Sequence, residues 1–581
     1  MIDMSNFALG LIISVIVYLA VGYYAGRKVS RLEDFYVAGR NAPTLLIVGT
    51  LVASFLSTNA FMGEVGMAYM GFGPLIILST GVNLFGYILG ALFFGRYLRR
   101  SEAITVPQFF GQRFNSRRLQ VVAGITVMIG LSAYLLAVTL GATILVTAVT
   151  DFSYTTAVIL VWLGYTLFTL YAGSKGVILT DTMMFILFTS VALVAMLYII
   201  DAAGGVELAV ESLARFPSKP DIISWHGNVG PQSSWKTPAE ALMWVMIIGI
   251  AWGIVVAVSP WQASRYLMAK SEHTVIRSAF GACLGMYVLY PMTMFSAAIM
   301  NLLNPAIDPA ESVMIWAAMN ILPLFAGVVL VCGIMAAGLS SASTFLSLVG
   351  FSVANDILRP KNTQQQVMIT RYAILVTGLC VLVTALLVDG KIFWITYFAG
   401  PVFASSWGLV AFMAIWSQRI TEAGAFWGMI AGFVGNIGAN LLMLIGGISL
   451  PVYLDPILIG AVFSLAVILV VSKAGTVSQQ EQQFRQQLHI APDTEFDSEE
   501  LTTTLRWPKI LVGIGLTASA IMLYFWALPL SAARGYELGE ISGEIVFALV
   551  YGGLLVLTGL VGRYGIKKLY TKPQPIERAK Y

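Results

Sequence analysis

The feature that most constrains this chain is a succession of apolar runs, each long enough to cross a bilayer. A spanning helix needs about 20 predominantly apolar residues. Only 11% of the 581 residues are charged, against about 25% in soluble domains. We therefore predict an all-α integral membrane protein with about fifteen transmembrane helices, numbered span 1 to span 15 in chain order: residues 6–26, 43–71, 74–97, 119–149, 154–173, 180–201, 239–260, 275–302, 321–357, 366–389, 392–416, 421–446, 455–473, 509–530 and 543–563.

The basic residues lie almost entirely on one set of the predicted loops. If the N-terminus is outside, one set carries 28 of the 33 Lys and Arg residues. The opposite set carries the remaining five: Arg215, Lys219, Lys236, Lys391 and Arg534. Because cytoplasmic loops carry an excess of Lys and Arg, we predict a multi-pass protein of the cell (inner or plasma) membrane. Its N-terminus would lie outside and its C-terminus in the cytoplasm.

The cysteines, the histidines and the short motifs indicate no enzyme. Three cysteines lie singly in different spans, without a CxxC spacing: Cys283, Cys332 and Cys380. The three histidines all fall in predicted loops and are expected at the surface: His226, His273 and His489. No nucleotide-binding glycine motif, nucleophile elbow or HExxH is found. Neither a catalytic role nor a nucleic-acid partner is therefore expected, and the oligomeric state stays open.

The stretches between spans suggest a domain organisation. The outside loop at 202–238 contains "GVELAVESLARF", whose apolar spacing predicts an interfacial helix. Residues 474–508 are polar and too short for an enzymatic domain, so we predict a flexible or short helical linker. The resulting segments are an N-terminal helix and loop at 1–42, a transport core at 43–416, two peripheral helices at 417–473, a cytoplasmic linker at 474–508, two extra helices at 509–563 and a basic cytoplasmic tail at 564–581.

Span 2 is unusually polar for a membrane helix. Mid-span it contains Ser57, Thr58, Asn59 and the ionisable Glu64. Ionisable residues at membrane depth are costly and usually face a cavity or a partner. Small and polar residues there are typical of a discontinuous helix with freed carbonyls, although a continuous helix that uses them for packing is the alternative.

Span 9 collects hydroxyl groups on one side. Ser340, Ser343, Thr344 and Ser347 follow an i, i+3, i+4, i+7 spacing and share one stripe, with Ser341 about 100° round from Ser340. Such hydroxyls either hydrogen-bond to neighbouring helices or provide oxygens for a monovalent cation. Asp181, at the start of span 6, would act as a helix N-cap unless it faces this stripe.

Several motifs, in order along residues 30–470, resemble the sodium/solute symporter family. This family contains sodium-coupled transporters of sugars, proline, pantothenate, monocarboxylates and sialic acid. The resemblance rests on five segments: "DFYVAGRNAP" (34–43), "VASFLSTNAFMG" (52–63), "LYAGSKGVILTD" (170–181), "RYLMAKS" (265–271) and "AAGLSSASTFLSLVGFSVANDI" (336–357). It implies a leucine-transporter-like inverted repeat of five plus five helices, spans 2–6 and 7–11, that works by alternating access with Na⁺ as the coupling ion.

The resemblance also implies ion sites at matching positions. One sodium site would use the backbone carbonyls of Ala53, Leu56 and Ala337 with the hydroxyls of Ser340 and Ser341. A second site, present in some family members, would use Asp181, Ser340, Ser343 and Thr344. The expected partners are thus sodium, a small organic solute and the lipid bilayer.

The sequence indicates the solute cavity less clearly than the ion sites. It should lie near the membrane midplane, with six candidate lining residues: Thr58, Asn59, Asn83, Tyr134, Trp252 and Tyr397. Where sugar transporters of the family have an asparagine and a gating tyrosine, this chain has Trp252 and Val255, and span 4 lacks the arginine of the sialic acid branch. A monocarboxylate- or pantothenate-like solute is therefore favoured over a sugar. A proton-coupled symporter and a transporter-like membrane sensor or receptor remain the alternatives.

Overall fold

The computed structural model describes residues 4–26, 32–388, 391–537 and 539–570. Within these residues the regular secondary structure is helical, apart from one isolated backbone bridge between Ala42 and Ala269. Thirteen helices in this part of the chain are long and apolar enough to span a membrane, and two shorter apolar helices, Thr44–Phe55 and Tyr154–Leu170, complete the set. The prediction of an all-α membrane protein is confirmed. Most of the basic tail, residues 571–581, lies outside the described residues.

The helices follow the predicted spans closely. In chain order, the long and half-length membrane helices are Met4–Gly26, Thr44–Phe55, Asn59–Arg100 (several consecutive segments), Arg117–Val149, Tyr154–Ala202, Pro238–Val258, Pro260–Met268, Glu272–Leu303, Leu324–Leu358, Thr363–Leu387, Ile392–Trp416, Glu422–Gly446, Pro456–Ala474, Ser498–Ala533 and Gly543–Tyr570. Shorter helices fill the connections: Val106–Arg113, Val206–Ala214, Val313–Asn320 and Gln479–Leu488. The helix predicted in the 202–238 loop is thus present.

Span 2 is a broken helix. Its first half, Thr44–Phe55, ends at Leu56, whose ψ of 79° is not helical, and the second half begins at Asn59. The Ser57 N–H donates to the Phe55 carbonyl at 2.9 Å instead of reaching back four residues. The Ala53 carbonyl therefore loses its usual intrahelical donor. The predicted discontinuous helix is confirmed, and the continuous alternative is wrong.

Span 7 is broken as well. Helix Pro238–Val258 ends at Ser259, which is extended, and Pro260 opens a second helix, Pro260–Met268. Proline lacks the N–H that a continuous helix needs there and disfavours a helical conformation in the preceding residue. The two breaks fall in the first and sixth helices of the predicted core, as an inverted repeat requires.

The half-helices of spans 2 and 7 meet at their far ends. The Ala42 N–H donates to the Met268 carbonyl, and the Lys270 N–H donates to the Ala42 carbonyl, both at 3.1 Å. Ala42 precedes Thr44–Phe55, and Met268 ends Pro260–Met268. The ends of both half-helices therefore lie on the same side of the molecule.

Spans 5 and 6 form one helical stretch, Tyr154–Ala202, with a kink at Gly173. Gly173 has φ 54° and ψ 179°, a backbone conformation that residues with a Cβ rarely adopt. Asp181 lies two turns beyond this kink, inside the helix. Its interpretation as an N-cap is therefore wrong.

The remaining helices pack around this core. Met4–Gly26 packs against Tyr154–Ala202 and Leu324–Phe351. The last two spans pack against each other and against Glu272–Leu303, where the Tyr287 and Tyr551 rings stack at 4.1 Å between centroids. The extra C-terminal helices are thus joined to the core by a buried contact.

The 474–508 linker is helical and docked, which confirms the short helical alternative. It contains Gln479–Leu488, Asp493–Phe496 and Ser498–Thr504. His273 is the second residue of helix Glu272–Leu303 and is 1% exposed, with its ring nitrogens 2.9 Å from the Thr504 hydroxyl and from the Glu495 carbonyl. The expectation of a surface loop histidine is wrong at this position because the linker covers it.

One glycine contact lets spans 3 and 7 cross closely and gives a first prediction. A Cβ on Gly86 would lie 2.1 Å from the Gly253 carbonyl oxygen, which is backbone and cannot turn away. We expect Gly86→Ala to destabilise the protein by about 1–3 kcal/mol, seen as a lower melting temperature of the detergent-solubilised protein. Gly553→Ala is the control, because a Cβ there meets nothing within 4 Å. Equal melting temperatures for the two variants would contradict the prediction.

Candidate sodium and solute sites

The broken end of span 2 faces the hydroxyl-rich part of span 9, at Ser341. The Ser341 hydroxyl donates to the Ala53 carbonyl at 3.5 Å, a long hydrogen bond. Ala53, Ala337, Ser340 and Ser341 are all fully buried, and Leu56 is 3% exposed. These groups therefore face the protein interior, and oxygens from two helices meet at the helix break.

A second cluster forms around the carboxylate of Asp181, which is fully buried. The Ser340 hydroxyl donates to Oδ1 at 2.6 Å, and the Thr50 hydroxyl donates to Oδ2 at 2.5 Å. Ser343 instead donates to the Ser340 carbonyl within its own helix at 2.9 Å. Of the four positions predicted for the second site, Asp181 and Ser340 are therefore in direct contact.

Arg265 completes this cluster, and sequence reasoning assigned it wrongly to a cytoplasmic loop. It lies in the half-helix Pro260–Met268 and is 2% exposed. Its Nη2 is 3.4 Å from Asp181 Oδ2 and donates to the Thr344 hydroxyl at 2.5 Å. A fixed positive charge thus links Asp181 and Thr344. The sequence contains little indication that this arginine is buried. Arg265 lies a few residues after the end of predicted span 7, where a basic residue is expected in a loop.

Gln262, which sequence reasoning also missed, joins the two half-helices beside the first cluster. Its Nε2 lies 3.4 Å from the Leu51 carbonyl and 3.3 Å from the Ser54 hydroxyl. The Tyr87 hydroxyl donates to the Gln262 amide oxygen at 3.3 Å. This polar chain positions the broken ends of spans 2 and 7 relative to span 3.

A small cavity of about 30 Å³ lies next to the break in span 2. That volume holds about one or two water molecules. Its lining contains four of the six predicted solute residues among aromatic, polar and aliphatic side chains: Phe55, Asn59, Glu64, Ile76, Ser79, Thr80, Asn83, Trp244, Ile248, Trp252, Phe393, Thr396 and Tyr397. A solute larger than this volume therefore requires side chains to move.

Two predicted lining residues lie elsewhere. The Thr58 hydroxyl lies 3.4 Å from the Val138 carbonyl, and its side chain packs where Gly141 and Gly338 leave room. Tyr134 packs against Phe345, with ring centroids 4.6 Å apart. Both side chains belong to helix packing, so the prediction that they line the cavity is not supported by their positions.

Aromatic rings cover the cavity on two sides. On one side the Trp244 ring stacks on the Tyr397 ring. The Trp244 indole N–H lies 3.2 Å from the Tyr397 hydroxyl, and this hydroxyl donates to Asp455 at 2.5 Å. On the other side Trp252 makes edge contacts with Phe55 and Tyr134.

Glu64 is a cavity residue that sequence reasoning noted but did not assign to the site. Its Oε1 accepts a hydrogen bond from the Asn59 amide at 3.0 Å. No Lys, Arg or His is present among the residues that line the cavity. The sequence feature that could have assigned Glu64 to the cavity is its position as an ionisable residue in mid-span.

Comparison with known proteins shows which family the sequence matches. The sequence model of the sodium:solute symporter family matches residues 35–432. The sodium/pantothenate symporter of Escherichia coli is 24% identical over 444 residues, which cover 73% of this chain and 89% of that protein. The sodium/proline symporter of Salmonella typhimurium is 24% identical over 509 residues, which cover 83% of this chain and 96% of that protein.

Solved structures with the same fold are also sodium- or cation-coupled transporters. A substrate-bound, outward-open Na⁺-coupled sialic acid symporter matches with a TM-score of 0.67 at 17% identity, covering 82% of this chain and 99% of that one. A nucleobase–cation symporter in a closed conformation matches with a TM-score of 0.51 at 12% identity, covering 79% of this chain and 99% of that one. The family match spans more than half of the sequence, and the chain therefore belongs to the sodium:solute symporter family.

Proposed function

We propose that this protein couples the downhill entry of sodium to the uptake of a small organic solute by alternating access. The observation that carries the proposal is the meeting of the Ser341 hydroxyl with the Ala53 carbonyl at the break in span 2. Buried oxygens at a break in a membrane helix are a suitable environment for an alkali cation. The sodium-coupled relatives and the cavity beside this break support the same function.

The first sodium ion would bind between spans 2 and 9. Its ligands would be the carbonyls of Ala53, Leu56 and Ala337 and the hydroxyls of Ser340 and Ser341. The Ala53 carbonyl lacks its intrahelical donor, so an ion there would not compete with helix hydrogen bonding. Because these ligands come from two helices, sodium binding would favour the arrangement in which spans 2 and 9 are close together.

A second sodium ion would use Asp181, Ser340, Ser343 and Thr344. In the present arrangement Arg265 contacts both Asp181 and Thr344. A guanidinium and a sodium ion would repel each other at this distance. Binding of the second ion would therefore require Arg265 to move away, which links this site to motion of the half-helix Pro260–Met268.

The number of ions determines how strongly the protein can concentrate its solute. Each charge that moves down ~100 mV releases ~2.3 kcal/mol, and a tenfold sodium gradient adds ~1.4 kcal/mol. One ion then supports roughly 500-fold accumulation of a neutral solute, and two ions support roughly 10⁵-fold accumulation.

The proposal includes the topology and solute class predicted from the sequence. The N-terminus would lie outside, which places Glu64, Trp244 and Tyr397 on the outer side of the break in span 2. The aromatic pair Trp244–Tyr397 would then be the outer gate. A monocarboxylate- or pantothenate-like solute is the class predicted from the sequence.

Replacement of sodium tests the coupling directly. In proteoliposomes, with a labelled solute found by a thermal-shift screen, we expect uptake to fall at least about tenfold when potassium replaces sodium at fixed pH. Uptake that is undiminished in potassium would reject sodium coupling. Uptake that follows an imposed pH gradient instead would favour the proton-coupled alternative, and binding without any flux would favour the sensor.

A further inference from the structure

The cavity beside the break in span 2 contains hydrogen-bond acceptors that have no donors. Glu64 Oε2, Asn59 Oδ1 and Asn83 Oδ1 are all buried, and none makes a hydrogen bond of good geometry with the described residues. Asn59 and Asn83 are each 5% exposed. The Asn59 amide nitrogen already donates to Glu64 Oε1, which leaves the Asn59 oxygen as the free group. Three acceptors from spans 2 and 3 thus border the same small space.

The residues that line this cavity carry a negative charge and no positive one. Glu64 is the one ionisable carboxylate among the lining residues, and no lining residue is cationic. The Tyr290 hydroxyl also lies within hydrogen-bonding reach of Glu64, but it is a neutral group and leaves the negative charge uncompensated. A buried charge without a partner is strongly unfavourable. The missing partner should therefore be positive and should carry hydrogen-bond donors.

The rest of the lining indicates what kind of cation fits. Phe55, Trp252, Phe393, Trp244 and Tyr397 contribute aromatic rings to the cavity wall. A cation over an aromatic face gains about 0.5–2 kcal/mol, and aromatic cages are a recurring way to hold organic ammonium groups. A hard metal ion would instead gain nothing from so many apolar carbon atoms. The walls therefore match an organic ammonium better than an inorganic ion.

We infer that the transported solute carries a protonated amine, and that Glu64 is its counter-ion, with the oxygens of Asn59 and Asn83 accepting its N–H groups. This inference rests on the proposed sodium symport and replaces the sequence-based solute class with one that carries an ammonium group. It disfavours a simple monocarboxylate, because Glu64 would repel a carboxylate in this cavity. A zwitterion fits only if its ammonium end faces Glu64. A cationic solute would itself be drawn inward, by roughly 50-fold at ~100 mV.

Matched ligands that differ in one group test the inference. The full-length protein in detergent with saturating sodium would be titrated with pyrrolidine, cyclopentanol and cyclopentanecarboxylate, followed by amino acids and primary amines. Binding would be followed by thermal shift. We expect ammonium compounds to stabilise the protein and their carboxylate counterparts to have no effect. Stabilisation by a carboxylate alone, or by no ammonium compound at all, overturns the inference.

Glu64→Gln then tests the counter-ion, because it removes the charge and keeps the volume. We expect the Kd of the best ammonium ligand to rise at least about tenfold, while an uncharged ligand of the same shape is unaffected. Glu207→Gln is the matched control, since it removes an exposed carboxylate from helix Val206–Ala214. An unchanged ammonium Kd in Glu64→Gln contradicts the inference. The sodium-induced thermal shift of Glu64→Gln shows that the variant is folded.

The same measurements separate this inference from the proposed function. Ammonium binding that depends on Glu64 but not on sodium would retain the inference and reject the symport. Sodium-driven uptake of an anionic solute would retain the symport and reject the inference. The solute class and the coupling ion are thus decided by different observations.

Discussion

Asp181→Asn is expected to destabilise the protein by about 3–5 kcal/mol, because it leaves Arg265 as a buried charge without a partner. Arg265 is 2% exposed, and its guanidinium lies 3.4 Å from the Asp181 carboxylate. The substituted amide keeps the volume of the side chain and can still accept from Ser340. The loss should therefore reflect the charge and not a cavity. Thermal unfolding of the detergent-solubilised variant, relative to wild type, measures it.

The double variant Asp181→Asn/Arg265→Gln separates the ion pair from other effects. Removing both charges should recover most of the lost stability, because no buried charge remains unpaired. If the double variant is as unstable as Asp181→Asn or less stable, the ion pair does not account for the loss.

In uptake assays the sodium Hill coefficient of Asp181→Asn should fall from about two toward one. An unchanged coefficient would remove Asp181 from any ion site.

The contrast between Asp181 and Arg265 shows what the sequence could and could not predict. Asp181 belongs to a family motif, and the resemblance implied its place in an ion site with Ser340, Ser343 and Thr344. In the structure the Ser340 hydroxyl does donate to its carboxylate. Arg265 follows a proline that ends a long apolar run, and a cation at that position is typical of a cytoplasmic loop. The half-helix that carries it is joined to the start of span 2 by hydrogen bonds from the Ala42 N–H to the Met268 carbonyl and from the Lys270 N–H to the Ala42 carbonyl. Such a tertiary contact leaves no periodic signal.

The lining of the solute cavity was also only partly predictable from the sequence. The spans themselves were predictable because about 20 apolar residues in a row have few other structural solutions. Thr58 and Asn59 are neighbours in a broken segment, yet only Asn59 lines the cavity. The rotation of side chains about an irregular backbone cannot be read from a 3.6-residue period. Likewise, the burial of His273 depends on the linker that folds over it.

Ser341→Ala should weaken sodium binding at least about tenfold, because the ion would lose one of its five proposed oxygens and the removed hydroxyl has no substitute nearby. The effect should appear as a higher sodium concentration for half-maximal thermal stabilisation and for half-maximal uptake. Helix packing should change little, since Ser341 is a small side chain whose hydroxyl makes a long hydrogen bond to the Ala53 carbonyl.

Ser347→Ala is the matched control for Ser341→Ala. Ser347 lies on the same helix, is 6% exposed, and belongs to neither proposed ion site. If the hydroxyl stripe served only helix packing, both substitutions would lower the melting temperature alike and leave the sodium dependence unchanged. A sodium affinity that is equal in the two variants would therefore contradict an ion site between spans 2 and 9. A loss confined to Ser341→Ala would distinguish ion binding from interhelical hydrogen bonding, because the two roles predict different responses from hydroxyls two turns apart.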